Sequence, residues 1–105
     1  MVFNTGAALL DAIVLSIVSK DIAGTYGYKI TQDVRAVIDI SESTLYPVLR
    51  RLQKEECLEV YDLAIDGRNR RYYRITEKGR VQLNLYRSEW SVYSGKITRI
   101  FEEAD

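Results

Sequence analysis

The chain has 105 residues, 47% hydrophobic and 29% charged, with one proline, one cysteine and a formal net charge of zero. That length fits one domain with a modest core, and the composition is that of a folded chain. With no histidine and only Cys57, imidazole or thiolate metal sites, Ser–His or Cys–His nucleophile pairs and an internal disulfide are excluded. No enzyme is expected and no metal or cofactor is implied. The longest apolar run, "AALLDAIVLSIV", is shorter than the roughly 18 residues of a membrane span and is interrupted by Asp11. No signal-peptide pattern opens the chain, and a lone cysteine fits a reducing compartment. The expectation is a cytoplasmic protein with no membrane partner.

Periodicity predicts a first helix over residues 5–20. Leu9, Ile13 and Ile17 fall on one side of it, Leu10, Val14 and Val18 on another. A helix apolar on several faces is buried from two directions, and the second is read as another subunit. "GTYGY" (24–28) reads as a turn, and Ile30, Val34 and Val37 predict a second helix over about 28–38. A short turn at 39–41 leads into a third helix, on which Leu45, Val48, Leu49 and Leu52 form one face. Ser43, Pro47, Arg50 and Lys54 fall opposite, flanked by Tyr46 and Arg51. Proline is tolerated in a first helical turn, so Ser43 or Thr44 is the expected N-cap.

From Leu58 the period changes. "LEVYDLAI" and "RRYYRI" alternate about the turn "DGRN", predicting a two-stranded hairpin. Residues 66–80 carry six cations against two acids, an excess of four positive charges. Thr76, followed by Glu77, predicts the N-terminus of a last helix. Along it Leu83, Tyr86, Trp90, Tyr93, Ile97 and Ile100 are spaced 3, 4, 3, 4, 3, a heptad seam. A monomer would expose much of that seam, so the seam and the first helix are the predicted dimer contacts.

Three helices, a hairpin and a helix is the order of a winged helix-turn-helix, mainly α with a β-hairpin. Residues 1–75 would form the winged-helix DNA-binding domain and 76–105 the C-terminal dimerisation helix. In such folds the third helix enters the DNA major groove and the hairpin, or wing, reaches phosphates or the minor groove. Candidate DNA contacts are Ser43, Thr44, Tyr46, Pro47, Arg50 and Lys54 on the helix and Arg68, Arg70 and Arg71 on the wing. Two other readings stay open. Zero net charge and the acids Glu42, Glu55 and Glu56 leave room for a winged-helix module that binds a protein, and Trp90 for an aromatic-compound sensor without DNA binding.

"YGYKI" (26–30), "STLYPVLRRLQKEECL" (43–58) and "GRNRRYYRITEKG" (67–79), in this order and spacing, resemble the three signature blocks of the PadR family of bacterial transcriptional regulators. With the terminal helices the resemblance covers nearly the whole chain. It implies a homodimeric repressor of a palindromic double-stranded operator, released by a small aromatic or phenolic ligand. The chain is similar to the short branch that lacks a large C-terminal domain. Multidrug-sensing members of that branch stack flat aromatic compounds between paired tryptophans in a pore at the dimer interface. The resemblance places Trp90 there, with Ile13, Ile17 and Tyr93 beside it as candidate ligand contacts; a Trp90 that only packs the dimer is the alternative. Ser43 and Cys57 stand where the family usually has glycine. A positive φ at Cys57 would carry a steric cost. Cys57 is read as structural, with a redox role as the alternative.

Overall fold

The apolar run at the start of the chain forms α1 (Ala7–Ser19). The computed structural model describes residues 6–104, so an expected helix start at Thr5 lies outside the described residues, as do the outer ends of the two expected domains. Val14, Leu15 and Val18 are fully buried, whereas Leu10, Ile13 and Ile17 pack against the core only in part. The elements that follow are β1 (Thr25–Tyr26), α2 (Gly27–Arg35), α3 (Glu42–Lys54), β2 (Leu58–Ile65), β3 (Arg68–Ile75) and α4 (Glu77–Glu103). Together they make a winged helix-turn-helix extended by a long C-terminal helix.

Two expectations change in the first half. "GTYGY" is more than a turn, because Thr25 and Tyr26 pair antiparallel with Tyr73 and Tyr72. The expected hairpin of β2 and β3 is present, and β1 adds a third strand on its β3 edge, giving the order β1–β3–β2. A two-residue strand shows no alternation from which to read it. The second helix stops at Arg35, and Val37, expected on its core face, is 83% exposed. Its buried residues are Ile30, Thr31 and Val34, of which Ile30 and Val34 join the apolar core.

α3 begins earlier than expected. Its N-cap is Ser41, in extended conformation, whose carbonyl accepts from the N–H groups of Thr44 (3.1 Å) and Leu45 (3.3 Å). Ser43 and Thr44 are thus inside the helix, their hydroxyls clustered with that of Ser41. Pro47 becomes the sixth helical residue, beyond the first turn. Lacking an N–H, it cannot satisfy the Ser43 carbonyl, and its ring sits on the exposed side of the helix.

The other end of α3 is a Schellman turn. The Cys57 N–H reaches the Leu52 carbonyl (2.9 Å) and the Glu56 N–H the Gln53 carbonyl (3.0 Å). The left-handed residue is Glu56, at φ 64°, so the strain expected at Cys57 falls one residue earlier. Cys57 is buried beside Leu52 and Leu58 in the core.

In the wing, Ile65 pairs with Arg68 across a two-residue loop, and Asp66 and Gly67 both have positive φ (52° and 76°). That is a type I′ turn, so Arg68 and Asn69 belong to β3 and not to a four-residue turn. Thr76 then caps α4. Its Oγ1 accepts from the Gly79 N–H (2.9 Å) and donates to the Glu56 carbonyl (2.6 Å), which ties the end of α3 to the start of α4. A side chain on Gly79 would meet the Cys57 carbonyl and Ile75, so this junction closes only on glycine.

The core joins α1, Ile30 and Val34 of α2, the Leu45–Val48–Leu49–Leu52 stripe of α3, Leu58, Tyr73 and Ile75 of the sheet, and Leu83 of α4. The rest of α4, about 40 Å long in all, runs beyond that core. It gives the molecule its elongated 59 × 27 × 20 Å outline.

Candidate nucleic-acid interface

Because α3 buries its leucine stripe, its opposite face is set outward. Ser43, Thr44, Tyr46, Pro47, Arg50 and Lys54 are all on the exposed side. Arg51 is not. It turns inward to pair with the carboxylate of Asp11, a residue only 3% exposed.

Strand register divides the wing arginines. Cross-strand partners share a face, so Arg68 and Arg70 stand with Ile65, Leu63 and Tyr72, whereas Arg71 stands on the other face with Asp62 and Tyr73. Arg70 lies over the Tyr26 ring (4.6 Å) and Arg74 over Tyr61 (5.4 Å). Arg71 approaches Asp62 at 3.8 Å, and Arg74 pairs with Glu59.

Between α3 and the wing lies an open groove of about 410 Å³. Tyr46 and Arg50 line it from α3, Arg70, Arg71 and Tyr73 from β3, and Tyr26, Gly27 and Tyr28 from the β1–α2 junction. The lining therefore holds three guanidinium groups, four phenols and no carboxylate. Burial pushes the Tyr73 phenol above its usual pKa. Such a lining presents charge-assisted forks and hydroxyl donors to phosphate or base edges. Of the expected contacts, Tyr46, Arg50, Arg70 and Arg71 converge here, whereas Ser43, Thr44, Pro47, Lys54 and Arg68 do not line the groove. Tyr26, Tyr28 and Tyr73 also line it; they are not among the expected contacts, although they fall in the "YGYKI" and "GRNRRYYRITEKG" blocks.

A second, apolar groove of about 310 Å³ lies between α1, the end of α2 and α4. Ile13 and Ile17 line it together with Trp90, and so do Val34, Val37 and Tyr86. Tyr93 does not line it but stacks on Trp90, with ring centroids 6.2 Å apart. Along the seam, Leu83 is buried, Tyr86, Tyr93 and Ile97 are half-buried, and Trp90 (42%) and Ile100 (60%) are exposed. The Tyr86 hydroxyl donates to Asp11 at 3.2 Å, and burial together with that carboxylate pushes its pKa up to about 12.

A recognition-type helix, a basic wing and a long helix with an exposed seam define a winged-helix transcription factor. The chain matches the PadR-like family of transcriptional regulators over residues 14–85, and it belongs to that family. It is 40% identical to smu.1704 of Streptococcus mutans UA159, whose structure superimposes with a TM-score of 0.83 over 98% of this chain and 95% of that one. It is 29% identical to the PadR-like regulator BC4206 of Bacillus cereus, with a TM-score of 0.81 over 96% and 98% of the two chains. Bacillus subtilis PadR in complex with operator DNA shares the fold (TM-score 0.66, 20% identity, 74% of this chain and 46% of that one). The family is one of regulators and not of enzymes, and among the described residues no helix is long and apolar enough to cross a membrane.

Proposed function

We propose that the chain is a homodimeric, sequence-specific regulator that binds a palindromic operator in the cytoplasm, and that it acts as a repressor released by a planar aromatic or phenolic ligand. The groove of three arginines and four tyrosines between α3 and the wing carries the DNA reading. A surface without a carboxylate, placed between the two elements that winged helices apply to DNA, suits a polyanion better than a protein partner. The Bacillus subtilis relative bound to operator DNA supports the same mode. The exposed Trp90, Ile100 and Phe101 along α4 support a second copy as the cover of that seam, and the apolar groove beside Trp90 supports the ligand.

Selection of bound duplexes from a random pool tests the DNA reading. A palindromic consensus is expected; recovery of no enriched sequence at low salt would contradict it. For the dimer, sedimentation of the Ile97→Asp/Ile100→Asp variant should give a monomer where the parent chain gives a dimer. Equal sedimentation of the two would place the interface elsewhere.

A further inference from the structure

None of the residues lining the groove beside Trp90 belongs to α3. One buried carboxylate nevertheless joins that groove to the recognition helix. Asp11 of α1 accepts from Arg51 of α3 on Oδ1 and from the Tyr86 hydroxyl of α4 on Oδ2. Tyr86 also lines the groove, and Arg51 directly follows Arg50 of the DNA-facing groove. A carboxylate this buried is strongly disfavoured unless its oxygens are paired, so a change at either partner bears on the other. Arg51 itself is 37% exposed in its side chain, which leaves it room to move when its anchor is disturbed.

We propose that the Tyr86–Asp11–Arg51 chain sets the seating of the recognition helix and transmits to it whether the groove beside Trp90 is occupied. The proposal rests on the DNA-binding and ligand-binding readings above. Asp11 is a positioning residue: it reaches DNA only through Arg51 and α3, and the ligand only through Tyr86. The coupling is reciprocal, so a groove occupant that weakens DNA binding is itself weakened by DNA.

The test uses the full chain, a duplex obtained by selection, and 1-anilinonaphthalene-8-sulfonate as an apolar aromatic probe. Dye occupancy is followed through the single tryptophan, Trp90. Saturating dye should weaken duplex binding by about tenfold in the parent chain, within the usual range of allosteric coupling. The Asp11→Leu/Arg51→Met variant replaces the pair with apolar groups of similar size, a change that folded proteins generally tolerate. It should bind dye like the parent, but dye should then alter its duplex affinity by less than about twofold. Arg51→Lys, which keeps a cation for Asp11, should retain most of the coupling. Folding defects alone would not separate these variants in this way, because the readout is a ratio of affinities with and without dye.

A double variant that keeps the parent's coupling would overturn the relay, and so would a parent chain that binds duplex and dye independently. A parent chain that binds no duplex would overturn the regulator reading itself, and the relay with it.

Discussion

Two residues on either side of the α3–α4 junction carry opposite backbone demands. Glu56 sits in the left-handed region, where a side chain costs about 1–2 kcal/mol relative to the right-handed helix. Glu56→Gly should raise stability by about 1 kcal/mol, read as a higher urea midpoint with an unchanged slope. The Thr76 hydroxyl bond would survive, because it goes to the Glu56 main-chain carbonyl. Gly79 is the converse case. A methyl there meets the Cys57 carbonyl and Ile75, and backbone cannot step aside as a flexible side chain can. Gly79→Ala should destabilise by about 1–3 kcal/mol, the usual cost of overpacking, in the same urea titration. A reversed sign for the first would mean that Glu56 does not hold its left-handed conformation, and for the second that the Cys57 carbonyl and Ile75 do not crowd Gly79.

At the scale of elements, the third helix and the hairpin are legible because each repeats its pattern. The Leu45–Val48–Leu49–Leu52 stripe spans two turns, and "DG" between alternating runs marks a type I′ turn. What is illegible is set by tertiary contact. β1 is two residues long and exists because β3 offers it an edge. Val37 keeps the helical spacing after α2 has ended, so periodicity alone carries the helix too far. The start of α3 is ambiguous because Ser41, Ser43 and Thr44 are all good caps, and Pro47 favours the wrong ones.

The packing of α4 on α1 makes a prediction of its own. The Tyr86 pKa is raised from the ordinary value near 10 to about 12. A group whose folded pKa is raised stabilises the fold fully below its unfolded pKa and loses that contribution as pH climbs through the folded value. The parent chain should therefore lose stability between about pH 10 and pH 12 more steeply than Tyr86→Phe, which lacks the titrating hydroxyl. Denaturant midpoints of the two proteins across that range measure the difference. Parallel curves would mean that the hydroxyl at Asp11 is not energetically coupled to folding.

For the whole molecule, the candidate site is only partly legible, since it gathers residues 26–28, 46–50 and 70–73 from three places in the chain. The sequence pattern identifies Tyr46, Arg50, Arg70 and Arg71 by their place on a helix face or in a basic hairpin. It cannot show that Arg51 turns away to Asp11, although a charge interrupting an apolar helix is itself a sign of a buried partner. Nor does net charge help, because the acids that bring it to zero lie outside the groove.

The salt dependence of duplex binding tests most directly the proposed contact of this groove with nucleic-acid phosphates. For a selected duplex, log affinity should fall linearly with log salt concentration. Arg50→Ala/Arg70→Ala should bind more weakly and with a slope shallower by about one unit for each phosphate that is no longer neutralised. A double variant with the parent's affinity and the parent's slope would mean that the groove does not meet DNA phosphates.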